Sequence, residues 1–162
     1  MTAPASFEDE LYREIILDHW RTPRHFGVLD PADARVEGSN PLCGDEVLLT
    51  VRLRDDRVEG IAFSGQGCSI SRASASLMCE GVAGRPVAEA SGLLDRFRAM
   101  MTAHGPSDDV GDLEALRGVA SMPARVKCAV LPWNALARAL EGGHGTVSTE
   151  TGDLLDTSGG AQ

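Results

Sequence analysis

The sequence predicts an α/β fold of the α+β kind: a small antiparallel three-stranded sheet packed against several helices. Three observations lead there. Val47, Leu49, Val51 and Leu53 alternate with Leu48, Thr50 and Arg52, the two-residue period of a strand. "RDDR" then turns the chain back into "VEGIAFSG", so the two runs pair as a hairpin. Beyond them, apolar residues recur at helical spacing in several separate stretches.

The elements follow in order. Ser6 and Asp9 suit a capping box for a first helix running to about Arg21, with Phe7, Leu11 and Ile15 on one face. Pro23 and Gly27 end it. "ARVEGS" reads as a short third strand at the sheet edge, ahead of the hairpin. After "GQGC", the stretch "SISRASASLMCEGVAG" places Ile70, Ala73, Leu77 and Gly81 at helical spacing, and its small residues allow close packing. Pro86 opens a further helix carrying Leu93, Leu94, Phe97 and Met101. "HGPSDDVG" is a loop, "DLEALRGV" a short helix, and Pro123 leads into "ARVKCAVLPWNALARALEGG". Residues 1–141 thus form a single domain. From Gly142 to Gln162 the chain is Gly, Ser, Thr and Asp with few apolar residues, the composition of a disordered tail.

Composition excludes several function classes. The chain has 162 residues, enough for one domain with a hydrophobic core. Hydrophobic residues make up 43% but aromatics only 4%, so aliphatic side chains must fill that core. A formal net charge of −9 leaves no basic stripe to neutralise phosphates, which argues against nucleic-acid binding. No apolar run approaches a membrane span, and "MTAPASFEDELYRE" lacks the features of a secretory signal. The expected location is the cytoplasm, where thiols stay reduced. The four cysteines, Cys43, Cys68, Cys79 and Cys128, therefore read as ligands or nucleophiles before disulfides.

"NPLCGDEV" sets Cys43 and Asp45 one glycine apart. Thiolate and carboxylate repel each other unless a cation lies between them. Cys43 precedes the first hairpin strand and Cys68 follows the second, so the hairpin brings them together despite their separation in sequence. Cys128 lies in a third segment, and Pro132 four residues on places it at or next to a helix N-terminus, where a thiolate is favoured. Three thiolates and Asp45 would make a four-coordinate site suited to zinc. There is no Cys-x-x-Cys pair, so unconnected buried thiols are an equal alternative at this point. Asp45 alone reads as a turn residue or strand-start cap. Cys79, mid-helix beside Met78, reads as a small packed hydrophobe.

"LYREIILDHWRTPRHFG", "NPLCGDEV", "GQGCSISRASASLM" and "PARVKCAVLPW" resemble the SufU branch of the IscU/NifU N-terminal-domain family of iron–sulfur cluster assembly proteins. The resemblance runs from about Leu11 to Leu140 in consistent order. It implies the SufE/NifU (IscU-like) fold, with a metal site at one exposed end held by Cys43, Asp45, Cys68 and Cys128. Within the family, IscU-type scaffolds carry a histidine directly before the last cysteine. Here that residue is Lys127, and none of His19, His25, His104 and His144 can take its place. SufU-type proteins also carry an extra stretch between the second and third ligand cysteines, matched here by "HGPSDDVGDLEALRGV".

The SufU resemblance implies a zinc-dependent sulfur acceptor that takes persulfide sulfur from a SufS-type cysteine desulfurase and serves a SufBCD-type scaffold downstream. It points to Cys43 as the acceptor, freed when a desulfurase histidine takes its position on zinc. Three thiolates and a carboxylate against Zn²⁺ leave the site at net −2, and Arg125, three residues before Cys128 in "ARVKC", is the candidate to compensate or to guide the incoming anion. Lys127 reads as merely exposed. Two alternatives belong to other classes. An IscU-like scaffold would assemble a [2Fe–2S] cluster on the same ligands. A structural zinc module would be inert to persulfide and would unfold on chelation.

Overall fold

The computed structural model describes residues 7–103, 110–142 and 144–148. Its elements are α1 (Phe7–Arg21), β1 (Ala34–Asn40), β2 (Asp45–Arg54), β3 (Arg57–Gln66), α2 (Ser69–Val82), α3 (Val87–Ala103), a 3-10 run over Gly111–Ser121, α4 (Pro123–Leu140) and β4 (Gly145–Ser148). The α+β class and the β2–β3 hairpin are as the sequence predicts.

The sheet differs in one respect. It has four strands in the order β3-β2-β1-β4, and β4 runs parallel to β1. The expected three-stranded antiparallel sheet is therefore a mixed four-stranded one, and β1 is an inner strand. The fourth strand comes from the stretch read as a disordered tail. Of its residues only Val147 is buried, so composition gave no sign of it; the pairing rests on backbone groups offered by the open side of β1. Residues 149–162 lie outside the described ones, as do Ser6 and nearly all of the "HGPSDDVG" loop. "DLEALRGV" is part of the longer 3-10 run, and Leu11, on the helix face read as apolar, is exposed.

Strand alternation decides what faces the core. Along β1, Ala34, Val36, Gly38 and Asn40 are buried, with Arg35 and Glu37 outside between them. Along β2 the inner face begins with Asp45 and continues through Val47, Leu49 and Val51. The aliphatic set Val36, Leu49, Val51, Val58, Met78 and Leu136 is almost wholly excluded from water. Phe97 of α3 stacks on Trp133 of α4, ring centroids 4.5 Å apart. Burying side chains of this kind contributes about 1.5–3 kcal/mol each before entropy is set against it.

Helix α4 packs on β1 and β2, and Gly38 permits the approach. A Cβ there would stand 3.1 Å from Leu131 Cδ1 and 3.0 Å from Val47 Cγ1. Leu131 and Gly38 thus fix where the helix crosses the strand. One turn earlier on the helix comes Cys128, and two residues further along the strand comes Asn40. No described helix is long and apolar enough to cross a membrane.

Gly65 near the end of β3 has φ +125, and a Cβ there would collide with the Glu46 carbonyl on β2. Gly118 has nothing near the place of its Cβ. Gly65→Ala is expected to cost roughly 3 kcal/mol or more, while Gly118→Ala stays within about 0.5 kcal/mol. Urea unfolding of the two variants side by side checks this.

Candidate metal centre

The strand pattern that builds the core also builds the site. Asn40 and Asp45 are cross-strand partners at the closed end of the β1–β2 hairpin, and both continue the inward face. Past the last core residues that face meets polar groups. Asp45 is 1% exposed. Its Oδ1 accepts a 2.9 Å hydrogen bond from the Cys68 backbone N–H. The carboxylate therefore ties the start of β2 to the N-terminal end of α2. Gly67 makes room for it, since a Cβ there would stand 2.8 Å from Asp45 Oδ1.

Between Asn40 and Asp45 lies the turn that carries Cys43. The Asn40 carbonyl accepts from the N–H groups of Cys43 at 3.1 Å and Gly44 at 2.9 Å. Cys43 is exposed on this turn, while Cys128 is buried beneath it. Their sulfurs are 3.7 Å apart. One ligand atom each from Cys43, Asp45 and Cys128 lie within 4.8 Å of one another.

Cys68 joins them less directly. It is the N-cap of α2, and its sulfur accepts from the Ser71 N–H at 3.5 Å. The structure thus gathers three of the four expected ligands and holds the fourth at the rim, its backbone bonded to Asp45 and its thiol turned to the helix end.

Cys128 differs from its expected place. It is the sixth residue of α4, not near the first, because Pro123 occupies the opening turn. Pro132 is well inside the helix and cannot donate to the Cys128 carbonyl. The helix N-terminus does not favour this thiolate; its surroundings oppose it. Burial pushes the Cys128 thiol up, and hydrogen bonding to Asp45 and the negative charge of Cys68 add to the rise.

The remaining expected residues sort clearly. Arg125 is exposed on the first turn of α4. The charge of Cys68, then that of Cys128, raises its pKa, with hydrogen bonds to both sulfurs contributing. Lys127 is half-buried. Cys79 is fully buried in the core cluster, and burial alone pushes its thiol up. His19 is buried elsewhere, its Nδ1 2.7 Å from Ser76 Oγ. Burial, then the charge of Arg24, lowers its pKa. No histidine belongs to the group of potential ligands among the described residues.

The donor set fits a soft tetrahedral cation. Zn–S bonds of about 2.3 Å at tetrahedral angles put ligand sulfurs about 3.8 Å apart, against the 3.7 Å between Cys43 and Cys128. Two thiols and a carboxyl crowded together, one thiol forced toward its protonated form, are what a divalent cation would reverse. Asn40, in the same "NPLCGDEV" stretch, is not among the residues expected at the site. Counting inward positions from Ala34 and Val36 would have placed its side chain on the site.

Comparison with known proteins agrees with this architecture. The chain matches the NifU-like N terminal domain family over residues 11–141. It is 45% identical over 141 residues to the zinc-dependent sulfurtransferase SufU of Bacillus subtilis (strain 168), covering 84% of this chain and 95% of that protein. It is 43% identical over 135 residues to the iron-sulfur cluster assembly scaffold protein IscU of Streptococcus pyogenes serotype M1, covering 82% and 84%. Among solved structures, the N-terminal part of a nitrogen-fixing NifU-like protein from Brucella abortus superposes with a TM-score of 0.77 at 26% identity, covering 85% of this chain and 96% of that one.

The contrast between Cys43 and Cys79 is testable in the metal-free protein. Cys43 should be alkylated by iodoacetamide in the native state, and Cys79 only on unfolding, as read by peptide mass spectrometry. Because the fold raises the Cys79 pKa, its contribution to stability is intact below the unfolded thiol value of about 8.5 and lost as pH rises beyond it. Cys79→Ala should reduce the loss of stability between about pH 8.5 and 10, measured by urea titration at each pH.

Proposed function

The chain belongs to the NifU-like N-terminal-domain family, and on that footing we propose that it is a zinc-dependent sulfur acceptor for iron–sulfur cluster assembly. It takes persulfide sulfur from a SufS-type cysteine desulfurase in the cytoplasm and passes it toward a SufBCD-type scaffold. The observation that carries this reading is the asymmetry of the site. One sulfur, that of Cys43, is presented on an exposed turn, while Asp45 and Cys128 beside it are buried. The resemblance to the B. subtilis zinc-dependent sulfurtransferase supports the same choice, as does Lys127 in the position where IscU-type scaffolds carry histidine.

Cys43, Asp45, Cys68 and Cys128 would hold the zinc. When bound, it keeps coordinating thiols deprotonated at neutral pH. Cys43 is the nucleophile because a donor's persulfide can reach it. Its thiolate attacks the terminal sulfur, and a new S–S bond to Cys43 forms as the donor's S–S bond breaks. The donor cysteine leaves as a thiolate, the persulfide proton stays with the transferred sulfur, and nothing is oxidised or reduced overall. Arg125, exposed next to Cys68 and Cys128, would compensate the negative charge of the site and receive the thiolate that the donor cysteine leaves as.

Two measurements test this. Elemental analysis of the freshly isolated protein should find one zinc per chain; iron with visible absorption would favour the cluster-scaffold reading instead. In a desulfurase-coupled assay, Cys43→Ala should lower turnover to that of the desulfurase alone while retaining some zinc. Cys68→Ala and Cys128→Ala should lose zinc, and Cys79→Ala should transfer sulfur normally at a stability cost of about 1 kcal/mol. If Cys79→Ala were as inactive as Cys43→Ala, Cys43 would not be the acceptor.

A further inference from the structure

We propose that Asn40 is a positioning residue of the metal site. Its side-chain amide donates one N–H toward the Asp45 carboxylate and the other toward the Cys128 sulfur, while its backbone carbonyl shapes the turn that presents Cys43. The inference rests on the metal-binding reading above and adds to it a residue outside the ligand set.

Asn40 is 0% exposed. A primary amide so buried costs stability unless its polar atoms are paired. Its position on β1 is otherwise a core position, following Ala34, Val36 and Gly38 on the same face. Packing alone would favour an apolar side chain there. Instead Asn40 Nδ2 lies 3.5 Å from Asp45 Oδ2 and 3.7 Å from Cys128 Sγ. The orientation of the amide follows from chemistry, since the reverse would set its carbonyl oxygen against a carboxylate and a sulfur. With two N–H groups and no charge, the amide serves one acceptor with each.

The geometry divides the work. Asp45 is bound at Oδ1 by the Cys68 N–H and approached at Oδ2 by Asn40, so both of its oxygens are oriented. Cys128 is steadied from the strand side, one turn before the point where α4 crosses β1. The backbone carbonyl of the same residue accepts from Cys43 and Gly44. Asn40 therefore holds the buried half of the site rigid and leaves the Cys43 side chain at the surface. An aspartate at position 40 would present a second carboxylate to Asp45 and Cys128. A leucine would keep the bulk and remove both donors.

The test compares wild-type chain with Asn40→Asp and Asn40→Leu, using circular dichroism to confirm that each is folded. Zinc affinity is measured by competition with a chromophoric chelator, and the thiolate-to-metal absorption band after loading with cobalt. Both folded variants should bind zinc about 10- to 100-fold more weakly, with a shifted cobalt–thiolate band. If Asn40→Leu fails to fold, the near-isosteric Asn40→Asp carries the comparison, with Asn40→Ser as the smaller replacement. Affinity within threefold of wild type and an unmoved band in the folded variants would overturn the role of Asn40 while leaving the metal reading intact. A wild-type chain that takes up no zinc would overturn that reading, and this inference with it.

Discussion

The 2.9 Å hydrogen bond from the Cys68 N–H to the buried Asp45 carboxylate is the contact on which the site depends. It joins the start of β2 to the end of the loop leading out of β3, closing the hairpin's open end. It also orders the first turn of α2, because the residue that donates it is the helix N-cap. A carboxylate buried this deeply would ordinarily be costly. Here hydrogen bonds from the Cys68 N–H and the Asn40 amide offset part of that cost. Remove the carboxylate, and the turn bearing Cys43, the cap of α2 and the wall facing Cys128 lose their common anchor.

Around that anchor the protein separates rigidity from access. Cys128 is held in α4, which the sheet receives closely because Gly38 has no side chain. Cys43 sits on a four-residue turn whose backbone is hydrogen-bonded but whose thiol faces solvent. A sulfur acceptor needs this division: its nucleophile must meet another protein's persulfide, while the remaining ligands keep their places. An evenly buried set would hold a cation as well and accept nothing. The exposed Arg125 fits the same scheme, with a positive group beside an otherwise anionic site to receive the thiolate that the donor leaves as.

Much of this could be read from the residues. Alternation through Val47–Leu53 gave the hairpin, and the hairpin brought Cys43 and Cys68 to one end. The depth of Cys128 was not legible, because it depends on where α4 begins. Pro132 pointed to a start near Cys128, but Pro123 occupies the opening turn and places the cysteine on the second turn. Strand β4 was hidden because its pairing uses backbone groups and its composition is that of a loop. Asn40 was hidden behind a local rule: Asn before Pro signals a turn, and only the parity of β1 shows that its side chain also faces inward.

The central claim is that Cys43 receives sulfur while the rest of the site stays assembled. The most direct measurement is mass mapping of the zinc-loaded chain after single turnover with a cysteine desulfurase and cysteine, with unreacted thiols blocked and zinc quantified in the same sample. The account predicts one added sulfur atom, located on the peptide containing Cys43, with zinc still present at one per chain. Sulfur found on Cys68, Cys79 or Cys128, or sulfur accepted only by chains that have lost their zinc, would contradict it.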